Sequence, residues 1–179
     1  MFIEDEPEIT MSCEQTKSWR QNQAWYRGGK HNECEKFQRK VIEYITGYDC
    51  GKTNLRIKED ANKLVNIVKP YKQDNGFEYT ENFDGIQTIG EKQLLYNLKF
   101  VCDSGGAQTR SLKLVYYFIK AQNSIIQSNP DIFFANILDG DESFKAMNKF
   151  NYIKRHDNIF CGDMKEFEVW FRINFKTDI

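Results

Sequence analysis

Asp84, Asn97, Lys99 and Gln108 are the residues whose types and spacing suit a reaction. Asp84 lies in an aromatic, partly alternating stretch. The next such stretch contains Tyr96-Asn97-Leu98-Lys99, and Ser104-Gly105-Gly106-Ala107-Gln108 then opens an apolar helix. Hydrolysis of a phosphodiester needs charge neutralised on the phosphate, an activated water and a stabilised leaving oxygen. Mg²⁺ supplies much of this through one or two carboxylates, carbonyl oxygens and retained waters. Asp84 is a natural ligand, Asn97 can add a neutral oxygen, and so can the main-chain carbonyl of Leu98 or Phe100. Lys99 can hold the attacking water or the phosphate.

The elements around these residues must bring them together. On a strand, Asn97 and Lys99 share a face while Leu98 and Phe100 point into packing. Pairing with the preceding strand lets Asp84 lie across from that polar face. Gly105 and Gly106 allow a sharp turn, and the helix start beyond them offers free N–H groups to a phosphate. Gln108, Leu112 and Val115 share a helix face, which points Gln108 toward the same strand ends. Arg110 and Lys113 lie elsewhere on that helix, within reach of a DNA backbone.

Read from its start, the chain predicts helices over 12–26 (ended by Gly28-Gly29), 32–45 and 54–68 (stopped by Pro70). Asn32 is the expected cap of the second, where Phe37, Val41 and Ile45 recur every four residues. Strands are expected over 77–87 and 94–102 as an antiparallel pair, and a helix over 107–122 capped by Ser104. A buried strand over 132–138, a helix over 141–149, a strand over 158–161 and a helix over 164–175 complete the pattern. The first ten residues, acidic at their start, are expected to be disordered, and 11–179 to form a single domain. This order makes an α/β fold, a mixed β-sheet flanked by helices.

Asp84, Asn97-x-Lys99, the glycine turn and Gln108 resemble the PD-(D/E)xK nuclease superfamily, which includes many type II restriction endonucleases. The likeness covers roughly the last two thirds of the chain. Asn136-Ile137-Leu138-Asp139-Gly140-Asp141 and Ile159-Phe160-Cys161-Gly162-Asp163 are similar to the closing strands of such enzymes. The resemblance implies a restriction-endonuclease-like fold and a Mg²⁺-dependent endonuclease acting on double-stranded DNA. Asp84 would be the metal ligand, Lys99 the catalytic lysine, and Gln108 a recurring family position. Gly105, Gly106, Arg110 and Lys113 would meet the DNA, and a homodimer would cut both strands. The family has Asp or Glu where this chain has Asn97, so a helix acid would complete the charge: Glu35 or Glu33, ahead of Glu43. The alternatives are an inactive DNA-binding relative and a protein-interaction domain without DNA affinity.

Bulk properties narrow the field. A net charge of -1 gives no global field toward nucleic acid, so any DNA contact must be local. Five cysteines, odd in number and irregularly spaced, read as reduced thiols of an intracellular protein. No apolar run is long enough to cross a bilayer. Gly47 to Thr53 resembles a phosphate-binding loop, but its glycines are one residue too close and it follows a helix. Cys13, His31, Cys34 and Cys50 lack the spacing of a compact zinc module, and His156 has no nucleophile partner. Trp170 with Phe167, Phe171 and Phe175 reads as a core stripe. The basic cluster Arg20, Arg27, Lys30, Lys36, Arg39 and Lys40 reads as a solvated face.

Overall fold

The computed structural model describes residues 7–58, 62–67 and 79–175. Its centre is a mixed four-stranded sheet in the order β3-β4-β5-β6, made of Gly85–Ile89, Lys92–Phe100, Ile132–Asp139 and Ile159–Gly162. β3 and β4 form the expected antiparallel pair around a turn at Gly90, which has φ +62°. β4, β5 and β6 are parallel. Parallel neighbours need long crossovers, and these are α3 (Gly106–Ile126) and α4 (Asp141–Ile153). The chain is therefore a mixed α/β protein with helices on both faces of the sheet.

The alternation of β4 separates the two cores. Leu94, Tyr96 and Leu98 pack with Val41 and Ile42 of α2 (Glu33–Thr46) and with Phe167 and Phe171 of α5 (Met164–Asn174). Trp170 joins this cluster, as the core-stripe reading expects. Leu95, Phe134 and Leu138 face the other way, onto Val115, Phe118 and Ile119 of α3 and Phe150 of α4. α5 begins with a full capping box between Asp163 and Glu166.

The first half departs from expectation. Of the segment expected as a helix over 54–68, residues 55–58 (β1, Leu55–Lys58) and 63–66 (β2, Lys63–Asn66) are antiparallel paired strands; residues 59–61 and Val68 lie outside the described residues. Strand pairing overrides the expected helix. Leu55 and Ile57 bond along Phe83 and Thr80, and Ile57 is buried in the α3-side core. Expected strand residues 77 and 78 are outside the described set, and the regular strand starts only at Gly85. The helix over 12–26 shrinks to α1 (Thr16–Gln21) because Ser12 and Thr16 bond Asp163 and Asp141 instead. Neither Asn32 nor Ser104 is a side-chain cap. Asn32 has φ 57°, and Gly105 precedes α3 without a capping bond. Of the segment expected to be disordered, residues 1–6 lie outside the described set, and Ile9 packs against the core. No helix among the described residues is long and apolar enough to cross a membrane.

Candidate active site

Three elements meet where β4 ends. Lys99 is its penultimate residue, Asp84 immediately precedes β3, and Glu35 lies in the first turn of α2. The Lys99 ammonium is 3.4 Å from Glu81 Oε2, and this lysine is only 17 % exposed. The other oxygen, Glu81 Oε1, is buried with no hydrogen-bond partner among the described residues. Asp84 Oδ2 accepts the Leu98 N–H at 2.8 Å, so the carboxylate bonds the strand that carries Lys99.

Burial pushes the Asp84 carboxyl up to about 7. The Glu35 carboxylate adds to this, against the opposing pull of the Leu98 N–H and the Lys99 charge. Burial likewise raises Glu35, with Lys99 and Arg39 pulling it back. Glu35, Glu81 and Asp84 thus act on one another electrostatically, and Lys99, Arg39 and Lys52 oppose their mutual repulsion.

Buried donors hold the strand ends in place. Arg39 Nη1 donates to the Asp84 carbonyl at 3.1 Å, Gln38 Nε2 to the Lys99 carbonyl at 2.9 Å, and Arg20 Nη1 to the Phe100 carbonyl at 3.1 Å. Arg20 and Arg39 are buried, which corrects their reading as part of a solvated face. The Phe100 carbonyl, a candidate ligand, is engaged by Arg20.

Asn97 shares its strand face with Lys99, but its Nδ2 donates to Asn136 Oδ1 at 3.1 Å. Asn136 is bonded in turn to Gln122 of α3 and to the Phe160 carbonyl. Asn97 belongs to this amide network and shows no bond to Asp84 or Lys99. The other acids of α2 have different tasks. Glu33 accepts the N–H groups of Arg27 and Gly29, and Glu43 accepts that of Cys50, leaving Glu35 as the helix acid at the site.

Gln108 is half-buried in the first turn of α3, and its Oε1 would lie 2.6 Å from a Cβ at Gly105. The first intrahelical bond there runs from Thr109 N to the Gly105 carbonyl, so the amides before it are open among the described residues. Arg110 and Lys113 are exposed on the same helix. Gly47 is a left-handed C-cap of α2, consistent with rejecting a phosphate loop there.

Glu81 and Gln38 are the site residues that sequence reasoning missed. Glu81 lies three residues before Asp84, a paired-acid spacing that was a usable signal. Gln38 gave none. Among the described residues no group of three or more His, Cys, Asp or Glu is placed to hold a metal ion. A two-carboxylate site completed by waters remains within the habits of Mg²⁺, and the unpartnered Glu81 Oε1, electrostatically coupled to Asp84, fits such a cation.

No family model, curated protein or solved structure matches this chain.

Proposed function

We propose that this protein is a Mg²⁺-dependent endodeoxyribonuclease of the PD-(D/E)xK kind, cutting double-stranded DNA at specific sequences in the manner of a restriction enzyme. The observation that carries this reading is the contact of Lys99 with Glu81 at the end of β4, with Asp84 bonded to the Leu98 N–H beside it and Glu35 acting on the Asp84 and Lys99 charges.

In this reading Asp84 and Glu81 hold the cation, and Glu35 adds negative charge from α2. Bound there, Mg²⁺ would offset phosphate charge and acidify a water. Lys99 orients that water and the phosphate, its own position set by Gln38 on its carbonyl and by Glu81 on its ammonium. The open amides after Gly105 and Gly106 receive a neighbouring phosphate, with Gln108 beside them. Arg110 and Lys113 contact the DNA backbone. Asn97 holds β4 to β5 and leaves the charge to the three acids. Two copies acting on the two strands make the homodimer the working form.

One observation favours a second reading, an inactive DNA-binding relative. Asn97, where such nucleases carry an acid, is tied to Asn136.

Incubation of plasmid and phage DNA with the protein in Mg²⁺ and in EDTA separates these readings. The expected result is discrete fragments in Mg²⁺ only. Lys99→Ala should slow cleavage by about 10²-fold or more, the scale of one positioned proton-transfer or charge-stabilising group. Glu81→Gln should slow it similarly, with partial recovery at raised Mg²⁺. Intact DNA that is retained at low salt would support the inactive binder. No retention at low salt would overturn both nucleic-acid readings.

A further inference from the structure

The charges of this protein are unevenly placed. Its 26 acids slightly outnumber its 25 lysines and arginines. Yet no acid occurs from Ser104 to Pro130, a span holding α3 with Arg110, Lys113 and Lys120. None occurs from Ser143 to His156 either, where α4 and its exit carry Lys145, Lys149, Lys154 and Arg155. α3 and α4 pack side by side on the same face of the sheet. Among these cations Lys145 is paired, with Glu142 at the head of α4.

Between the far ends of the two helices lies a groove of about 450 Å³, lined by Tyr116, Lys120, Ser124, Gln127, Tyr152 and Arg155, with no carboxylate among the described residues of its wall. Its frame is fixed. Buried Asn123 of α3 donates to the Ile153 carbonyl at 2.8 Å and accepts the Arg155 N–H at 2.9 Å, tying the exit of α4 to α3. Lys120 Nζ lies 5.1 Å from the centre of the Tyr116 ring. Tyr152 is 88 % exposed, the most open large hydrophobic residue of the protein's described part. Leaving a tyrosine in water beside two cations suits a ligand with both an aromatic face and a negative charge.

We propose that the α3–α4 groove binds a single strand of nucleic acid, with phosphates on Lys120 and Arg155 and an unpaired base stacked on Tyr152. The groove is separate from the Lys99 site: Lys120 is about 21 Å along α3 from Gly106 at a rise of 1.5 Å per residue. Arg110 and Lys113 continue the positive charge along α3 toward its start. An unpaired strand is favoured over duplex because the tyrosine offers a stacking face and the ring of a duplex base is already covered. The proposal goes beyond the cleavage reading and does not rest on it.

Fluorescence anisotropy of a labelled 20-nucleotide oligo-dT, in EDTA at low salt, tests the groove whether or not the protein cuts DNA. Wild type should bind with steep salt dependence. The double variant K120E/R155E should bind at least tenfold more weakly, with the slope of log K against log salt reduced by about 1.4, the value for two phosphate contacts on a single strand. Tyr152→Ala should weaken binding about fivefold or more, the loss of one stacked base. K40E/K165E, with the same charge change on the opposite helix layer, should stay within threefold of wild type. Circular dichroism checks that each variant keeps its helices. Equal weakening by both double variants, or no binding by wild type, would overturn the proposal. Displacement by poly-glutamate as readily as by unlabelled oligo-dT would assign the groove to acidic polypeptide instead. Displacement by free thymidine monophosphate at equal nucleotide concentration would reduce it to a nucleotide site.

Discussion

A single lysine near the end of a strand has no chemistry of its own; its surroundings confer it. Lys99 is nearly enclosed and faces Glu81, while Asp84 bonds the Leu98 N–H beside it. The spacing of Asp84 and Lys99 was legible because β-pairing across a short turn is a local matter. Glu81 and Gln38 were not, because their roles depend on how the segment before β3 and the helix α2 approach the sheet. Gly140 shows the same dependence at the backbone. It has φ +104°, and a Cβ there would overlap the Val101 carbonyl. Val101 bonds back to Asp139 and Glu142, so this glycine lets β5 turn into α4 against the end of β4. Gly140→Ala should cost about 3 kcal/mol or more, combining a strained φ with overpacking. Urea denaturation would read this as a lower midpoint with unchanged slope, and an unchanged midpoint would refute it.

Elements cohere here through buried polar side chains as well as apolar faces. Asn97 and Asn136 are directly paired across β4 and β5, and Gln122 of α3 completes the network. Such a network is stable only while every member is satisfied. Asn136→Ala would strand the amides of Asn97 and Gln122 together, at a cost of about 2–4 kcal/mol. Asn136→Asp, which keeps acceptors but removes the donor to Gln122 and Phe160, should also destabilise. Thermal melts of both variants beside wild type test this. A melting temperature unchanged in both would show that the network contributes nothing. The helices and strands from β3 onward were legible in the sequence, because their apolar periods of two and of three to four are strong. The β1–β2 pair was not. Its strands are fixed by bonding to Thr80 and Phe83 and by burial of Ile57, contacts made with residues well apart in the chain.

For the whole molecule, burial of acids ties stability to pH. Asp139 is buried where β5 meets α5, bonded to Gln38 and the Met164 N–H. Burial pushes its carboxyl up to about 7; Gln38 and Met164 oppose this, and the Asp163 and Glu166 carboxylates add to it. An unfolded aspartate titrates near 3.9. Between roughly pH 4 and 7 the folded protein therefore holds a proton that the unfolded chain has released, and stability falls as pH rises through that window. Asp84, also near 7, acts in the same direction. Asp139→Asn should remove one such contribution, up to about 1.4 kcal/mol per pH unit. Unfolding free energies measured from pH 5 to 7 should then fall less steeply in D139N, whatever its offset at one pH. Parallel curves would mean that Asp139 does not titrate there.

The sequence by itself determined the mixed α/β class, the later elements and the pairing that sets Asp84 near Lys99, since these follow from local periodicity and one short turn. Only the tertiary structure decided which acids gather at Lys99. It turned Glu33 and Glu43 to backbone duties, brought in Glu81, and drew Asn97 toward Asn136. Each of those choices rests on contacts between segments far apart in the chain, and residue spacing carries no record of such contacts.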